Sequence, residues 1–211
     1  DVTGAETLNF DDSAWQVVST PHTVELEPAE ASGGRNYQGI AWYRKHFVVP
    51  AAMQGQLVTV YFEAIMGKQE VFLNGKLVRK HAGGYLPFSV NLTDYGIKAG
   101  DKCVLAVMTD NSNAKNYPPG KPQYTLDFAY HGGIYRDVWL IGKSDVSITD
   151  ALEANKVAGG GVFVHFDQIS EKKAQVFVDT EVKNNGMARR VVTVETTLTN
   201  ASGKKVKQTS S

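Results

Sequence analysis

Apolar residues recur at every second position through most of the first two thirds of the chain, in short runs closed off by Gly, Pro or Asn. Residues 40–49, bounded by Gly39 and Pro50, are rich in aromatic and β-branched side chains and predict a strand. Residues 57–63 predict a second. Residues 70–73 and 77–79 meet at Asn74-Gly75, a dipeptide that tolerates the positive φ angles of a type I′ hairpin turn. Further extended runs follow over 85–92, 103–109 and 135–141, with Asp94 placed to cap a single helical turn. At the N-terminus, Phe10-Asp11-Asp12-Ser13-Ala14-Trp15 reads as a turn before the extended run Gln16-Val17-Val18. With no helical pattern of three or more turns, the runs predict an all-β fold, an antiparallel β-sandwich of the jelly-roll kind.

Two stretches break the alternation. Residues 21–38 hold His22, Glu25, Glu27, Glu30, Gly33, Gly34 and Arg35 without helical spacing. From Asp110, roughly two dozen residues run with almost no periodicity, and loops that long are uncommon in compact domains unless they bind something. That second stretch ends in Asp127-Phe128-Ala129-Tyr130-His131-Gly132-Gly133-Ile134-Tyr135-Arg136-Asp137, which feeds the 135–141 run. Around Gly142-Lys143-Ser144 the aromatics thin out, and Val, Thr and Lys alternate over 176–182 and 191–198 around an Asn184-Asn185-Gly186 turn. The expected organisation is therefore a domain over 1–143 and, over 144–211, strands of an immunoglobulin-like sandwich. Only about four strands fit there where about seven are needed, so that second domain is expected to be truncated.

Composition narrows the function classes. The 211 residues carry 22 basic and 22 acidic side chains, so there is no net positive field to hold a phosphate backbone. The single cysteine, Cys103, stands in an apolar run and reads as a small buried strand residue. No run approaches the roughly 18 apolar residues of a membrane helix, and no secretory leader opens the chain. Neither end carries an obvious packing signal, so the sequence is expected to be a processed protein or a piece of a longer one.

Three segments, in order, resemble the N-terminal half of glycoside hydrolase family 2, the β-galactosidase, β-glucuronidase and β-mannosidase family. They are residues 39–47 (Gly-Ile-Ala-Trp-Tyr-Arg-Lys-His-Phe), residues 71–76 with Gly83-Gly84-Tyr85-Leu86-Pro87-Phe88, and residues 127–140, of which Gly133-Ile134-Tyr135-Arg136-Asp137-Val138 is the most specific part. The resemblance implies a galactose-binding-like jelly roll followed by the start of an immunoglobulin-like domain. It also implies a catalytic (β/α)₈ barrel further along the parent protein. Retaining hydrolysis uses two carboxyl groups about 5–5.5 Å apart, and no pair here is assigned that work, so no catalytic residue is expected in this chain. By the same resemblance, Asp127 matches a loop aspartate that reaches the sugar pocket, and Asn36 lies where another loop contributes an amide. The partners implied are a terminal β-linked sugar and the protein's own barrel, and the implied location is periplasmic or secreted.

The remaining candidates have plainer readings. Arg136 and Asp137, at a strand start, suggest a structural ion pair or backbone bonding more than substrate contact, while Gly132 and Gly133 suit a tight turn from loop to strand. His22, His46, His81, His131 and His165 show no metal-ligand spacing, and no cofactor motif is present. Trp15, Trp42 and Trp139 read as core residues before a sugar-stacking platform, and Glu25, Glu27 and Glu30 as a solvated face. Asn91-Leu92-Thr93 and Asn200-Ala201-Ser202 are glycosylation triplets. A stand-alone carbohydrate-binding module and a structural domain with open strand edges remain as alternatives.

Overall fold

The computed structural model describes residues 2–24, 37–126, 128 and 130–211. The chain divides into two compact units, residues 1–142 and 143–211.

Among the described residues of the first unit, seven strands form two sheets: β1 (Ile40–Val48), β2 (Leu57–Phe62), β3 (Gly67–Leu73), β4 (Lys76–Gly83), β5 (Phe88–Asn91), β6 (Lys102–Asp110) and β7 (Val138–Lys143). One sheet has the order β1-β6-β3-β4 and is antiparallel throughout. The other has the order β5-β2-β7. The β3–β4 hairpin turns at Asn74 and Gly75, with φ of 50° and 81°, the pair of positive angles a type I′ turn requires. Asn74 also reaches back, its side-chain oxygen accepting from Val104 N at 2.8 Å.

The core lies between the sheets and is built from alternate residues: Val58, Val60 and Phe62 of β2, Val71 and Leu73 of β3, Phe88 and Val90 of β5, and Cys103, Leu105 and Val107 of β6. Phe62 and Phe88 stack with ring centroids 4.8 Å apart, and His81 stacks on the same Phe88 at 4.4 Å. Burying each such aromatic or branched side chain contributes about 1.5–3 kcal/mol. Cys103 is buried as expected, and burial pushes its thiol pKa up.

The outer face of β1 is covered by the N-terminal segment. Arg44, whose side chain is 1% exposed, donates through Nε to Asp12 Oδ2 at 2.8 Å, and its Nη1 donates to the carbonyls of Ala5 and Thr7. His46 Nε2 meets the same Asp12 oxygen at 2.8 Å. The Asp11–Ser13 turn forms as the sequence suggests, with Ser13 N donating to Asp11 Oδ1 at 3.0 Å, but residues 16–18 form no strand.

Several expected elements differ in extent. The extended run over 85–92 contracts to β5, because Leu92–Tyr95 closes a 3-10 turn. Asn91, not Asp94, caps that turn, its side chain accepting from Thr93 N, while Asp94 accepts from Asn91 Nδ2 at 2.7 Å. The final strand begins at Val138, three residues later than the alternation suggests. The preceding residues are spent on other contacts: Ile134 enters the core and Tyr135 donates its hydroxyl to the carbonyl of Gly84.

The second unit consists of β8 (Val146–Ile148), the one-turn helix α1 (Ala151–Ala154), β9 (Val162–Asp167), β10 (Gln175–Thr180), β11 (Val182–Asn184), β12 (Glu195–Thr199) and β13 (Lys205–Ser210). Its strands pair two by two: β8 with β11, β9 with β10, and β12 with β13. Asp150 caps α1, accepting from Leu152 N and Glu153 N. Val162, Val164 and Phe166 of β9 and Val176 and Val178 of β10, neighbours in one two-stranded sheet, line an apolar groove of about 610 Å³ together with Leu198 of β12.

Candidate functional site

The described parts of the two long loops of the first unit meet at one end of its sandwich, where buried polar residues gather. Gln69, Thr109, Asn111 and Gln123 are all 1–2% exposed. Gln69 sits opposite Thr109 in the β3–β6 register, and Asn111 follows directly on the end of β6. Polar groups inside an apolar core are tolerated only when bonded, so their partners show what this rim holds together.

Asn111 clamps the chain that enters β1. Its Oδ1 accepts from Gly39 N at 2.8 Å and its Nδ2 donates to Tyr37 O at 2.6 Å, while Asn111 N donates to Gly39 O at 3.2 Å. From the other side Gly132 packs so closely that a Cβ there would lie 2.5 Å from Asn111 Nδ2. The next residue, Gly133, has φ +97°, and a Cβ on it would lie 2.3 Å from the Tyr43 hydroxyl. Both glycines are therefore required, one for its backbone conformation and closeness, the other for closeness alone.

Residues 132–134 also carry the strap that precedes β1. His22 N donates to Ile134 O at 2.8 Å and Val24 N to Gly132 O at 2.9 Å, and His22 Nδ1 lies 2.9 Å from the Tyr43 hydroxyl. Met66 N reaches Gly133 O at 3.3 Å, which ties in the chain entering β3.

A second clamp is formed by Asn113. Its Oδ1 accepts from Gln38 Nε2 at 2.9 Å, from Gln123 N at 3.1 Å and from the Tyr130 hydroxyl at 3.3 Å. Gln38 Nε2 also lies 3.3 Å from that hydroxyl. Two buried polar atoms here, Gln123 Oε1 and His131 Nδ1, have no partner among the described residues. Burial raises the pKa values of Tyr43, Tyr117, Tyr130 and Tyr135, so their phenols stay protonated and remain donors at neutral pH. The described residues of the rim thus offer amides, hydroxyls and backbone groups together with the imidazoles of His22 and His131.

The two sequence-predicted contact residues, Asp127 and Asn36, lie outside the described residues, as do Glu25, Glu27, Glu30 and Arg35. Their described neighbours do meet at the rim: Val24, Tyr37 and Gln38 on one side, Gln123, Tyr130 and Gly132 on the other.

Residues 6–144 match the sequence profile of the glycosyl hydrolases family 2, sugar binding domain. The chain belongs to glycosyl hydrolase family 2. A family 2 relative, the β-galactosidase of Thermoanaerobacter pseudethanolicus, is 32% identical over 201 residues, covering 92% of this chain and 25% of that protein. A β-glucuronidase of Formosa agariphila is 30% identical over 210 residues, covering 94% of the chain and 21% of the relative. Among solved structures, the Bacteroides uniformis β-glucuronidase 2 covalently bound to cyclophellitol-6-carboxylate aziridine superposes with a TM-score of 0.82 at 27% identity, over 100% of this chain and 24% of that one. The chain thus spans about a quarter of the length of the family 2 proteins it matches.

Of the two structural roles expected for Arg136 and Asp137, an ion pair between them is not formed among the described residues, whereas backbone bonding is: Asp137 O accepts from Glu63 N at 3.1 Å, and Arg136 lies 5.8 Å from the Tyr135 ring centroid. Trp139 is not core: it is 52% exposed and donates to Glu63 Oε1 at 3.0 Å. The alternation of β7 explains this, since Val138 and Leu140 pack on the core and the residue between them must point outward. Trp42 packs against Phe72 at 5.8 Å. The described residues contain no cluster of three or more His, Cys, Asp or Glu side chains able to hold a metal.

Proposed function

We propose that this chain is the N-terminal, non-catalytic region of a larger retaining exo-β-glycoside hydrolase, β-galactosidase-like in specificity. In that protein the jelly roll supports a catalytic barrel, and its rim lends Asp127 and Asn36 to the pocket for the terminal β-linked sugar. Residues 144–211 then begin an immunoglobulin-like sandwich that follows the jelly roll in sequence. The observation that carries this reading is the convergence at one rim of the segments flanking both residues, through Asn111, Asn113 and the strap on 132–134. The β-galactosidase and β-glucuronidase relatives, of which the matched region is 25% and 21% of the length, support it.

A carboxylate suits the role assigned to Asp127, because it accepts two sugar hydroxyls in a geometry that separates epimers. Each such charged hydrogen bond contributes about 1.5–3 kcal/mol. The test is hydrolysis of nitrophenyl β-galactoside and β-glucuronide by the longer protein and by this chain alone. The longer protein is expected to be active, Asp127→Ala to lower its kcat/KM about a hundredfold, and the 211-residue chain to be inactive. Full activity of Asp127→Ala removes the proposed contact; hydrolysis by the chain alone removes the non-catalytic role.

A further inference from the structure

We infer that Asn113 is a positioning residue, fixing the relative placement of the two segments that bear Asp127 and Asn36; this rests on the sugar-pocket reading above. Three donors converge on one atom, Asn113 Oδ1: Gln38 Nε2 at 2.9 Å, Gln123 N at 3.1 Å and the Tyr130 hydroxyl at 3.3 Å. Gln38 stands two residues after Asn36, while Gln123 and Tyr130 stand four before and three after Asp127. A single side chain therefore bonds both segments close to the proposed contact residues, on both flanks of Asp127.

The chemistry fixes the orientation of the amide. A backbone N–H can only donate, so the atom facing Gln123 N must be the Asn113 oxygen, whatever the placement of the Gln38 amide. Gln123 is 1% exposed, so its segment is itself held by packing and serves as a fixed anchor. The other clamp, Asn111, holds Tyr37 and Gly39 but bonds none of the described residues between 122 and 130. Gln38 Nε2 also reaches the Tyr130 hydroxyl directly at 3.3 Å, but only Asn113 Oδ1 joins Gln38 to both Gln123 and Tyr130, and contact geometry displaced by about 1 Å can cost two orders of magnitude in rate.

Two measurements on Asn113→Ala and Asn113→Asp test this. Amide hydrogen exchange on the 211-residue chain should show Gln123 N–H exchanging about tenfold faster in Asn113→Ala, and near the parent rate in Asn113→Asp, whose carboxylate keeps an acceptor for all three donors. In the longer protein, kcat/KM for the nitrophenyl glycoside should fall about tenfold in Asn113→Ala and recover in Asn113→Asp. The Asn113→Ala loss should disappear when Asp127 is already alanine, because a positioning residue has nothing left to position. Unchanged exchange, or a loss of equal size with and without Asp127, overturns the positioning role while leaving the Asp127 contact standing. If Asp127→Ala alone costs nothing, the sugar-pocket reading falls first, and the inference with it.

Discussion

Replacing Asn111 by alanine probes the rim most directly, since its side chain is 2% exposed and bonds two backbone groups at once. The substitution strands Gly39 N, now 2.8 Å from the amide oxygen, and Tyr37 O, now 2.6 Å from the amide nitrogen. Each buried backbone group left without a partner costs about 1–3 kcal/mol. Gly39 and Tyr37 are only partly buried, so water can recover some of this, and the expected loss is about 2–4 kcal/mol. Urea denaturation followed by tryptophan fluorescence isolates the effect, because all three tryptophans, Trp15, Trp42 and Trp139, belong to the first unit. The midpoint should fall with the slope unchanged. Asn111→Asp sharpens the test: protonated, it can still donate to Tyr37 O, but ionised it places an acceptor against an acceptor. Its deficit should therefore deepen as pH rises above about 4. A stability change within about 0.5 kcal/mol for Asn111→Ala, the range of neutral surface substitutions, would refute the clamp.

Gly133→Ala places a side chain at φ +97° with its Cβ 2.3 Å from the Tyr43 hydroxyl, and should cost about 2–4 kcal/mol in the same unfolding assay. Adding Tyr43→Phe removes the opposing oxygen and should restore part of the loss; strict additivity would mean that the close approach is not the cause. Asp12 has a pKa lowered first by its hydrogen bond from Arg44 and then by that from His46. A depressed folded-state value means the stabilisation is present above the unfolded carboxyl pKa of about 3.9 and is lost as pH falls through the folded value. Urea midpoints measured from pH 6 downward should decline more steeply in the parent than in Asp12→Asn; parallel curves would exclude the linkage.

Much of the sandwich was legible because its signals are local. The Asn74-Gly75 turn dictates its own geometry, and the period-two runs put Val58, Val60 and Phe62 on one face whatever they pair with. The outward turn of Trp139 was legible too, from its place between Val138 and Leu140, had the alternation been set above the habit of burying tryptophan. The clamps were not. Asp110-Asn111-Ser112-Asn113 reads as an ordinary polar turn, yet its amides bond chain 72 to 75 residues earlier in sequence. Nothing within a local window distinguishes an asparagine that shapes its own turn from one that fastens a distant segment. The start of β7 was misplaced for a related reason, since Tyr135 keeps the strand-like alternation but spends its hydroxyl on Gly84, far back in the chain.

The strap has a consequence for how this scaffold can be redesigned. Val24 is fastened to Gly132 and Tyr37 to Asn111, so the residues between them start and finish on anchored backbone. Lengthening a connection whose ends are already fixed is cheap in chain entropy: each doubling adds only about 0.6 kcal/mol. The cost of closing the chain between these two anchors therefore changes slowly with the number of residues that join them. On the proposed sugar contact of Asn36, exchanging the residues between the anchors among relatives is a rational way to redesign selectivity.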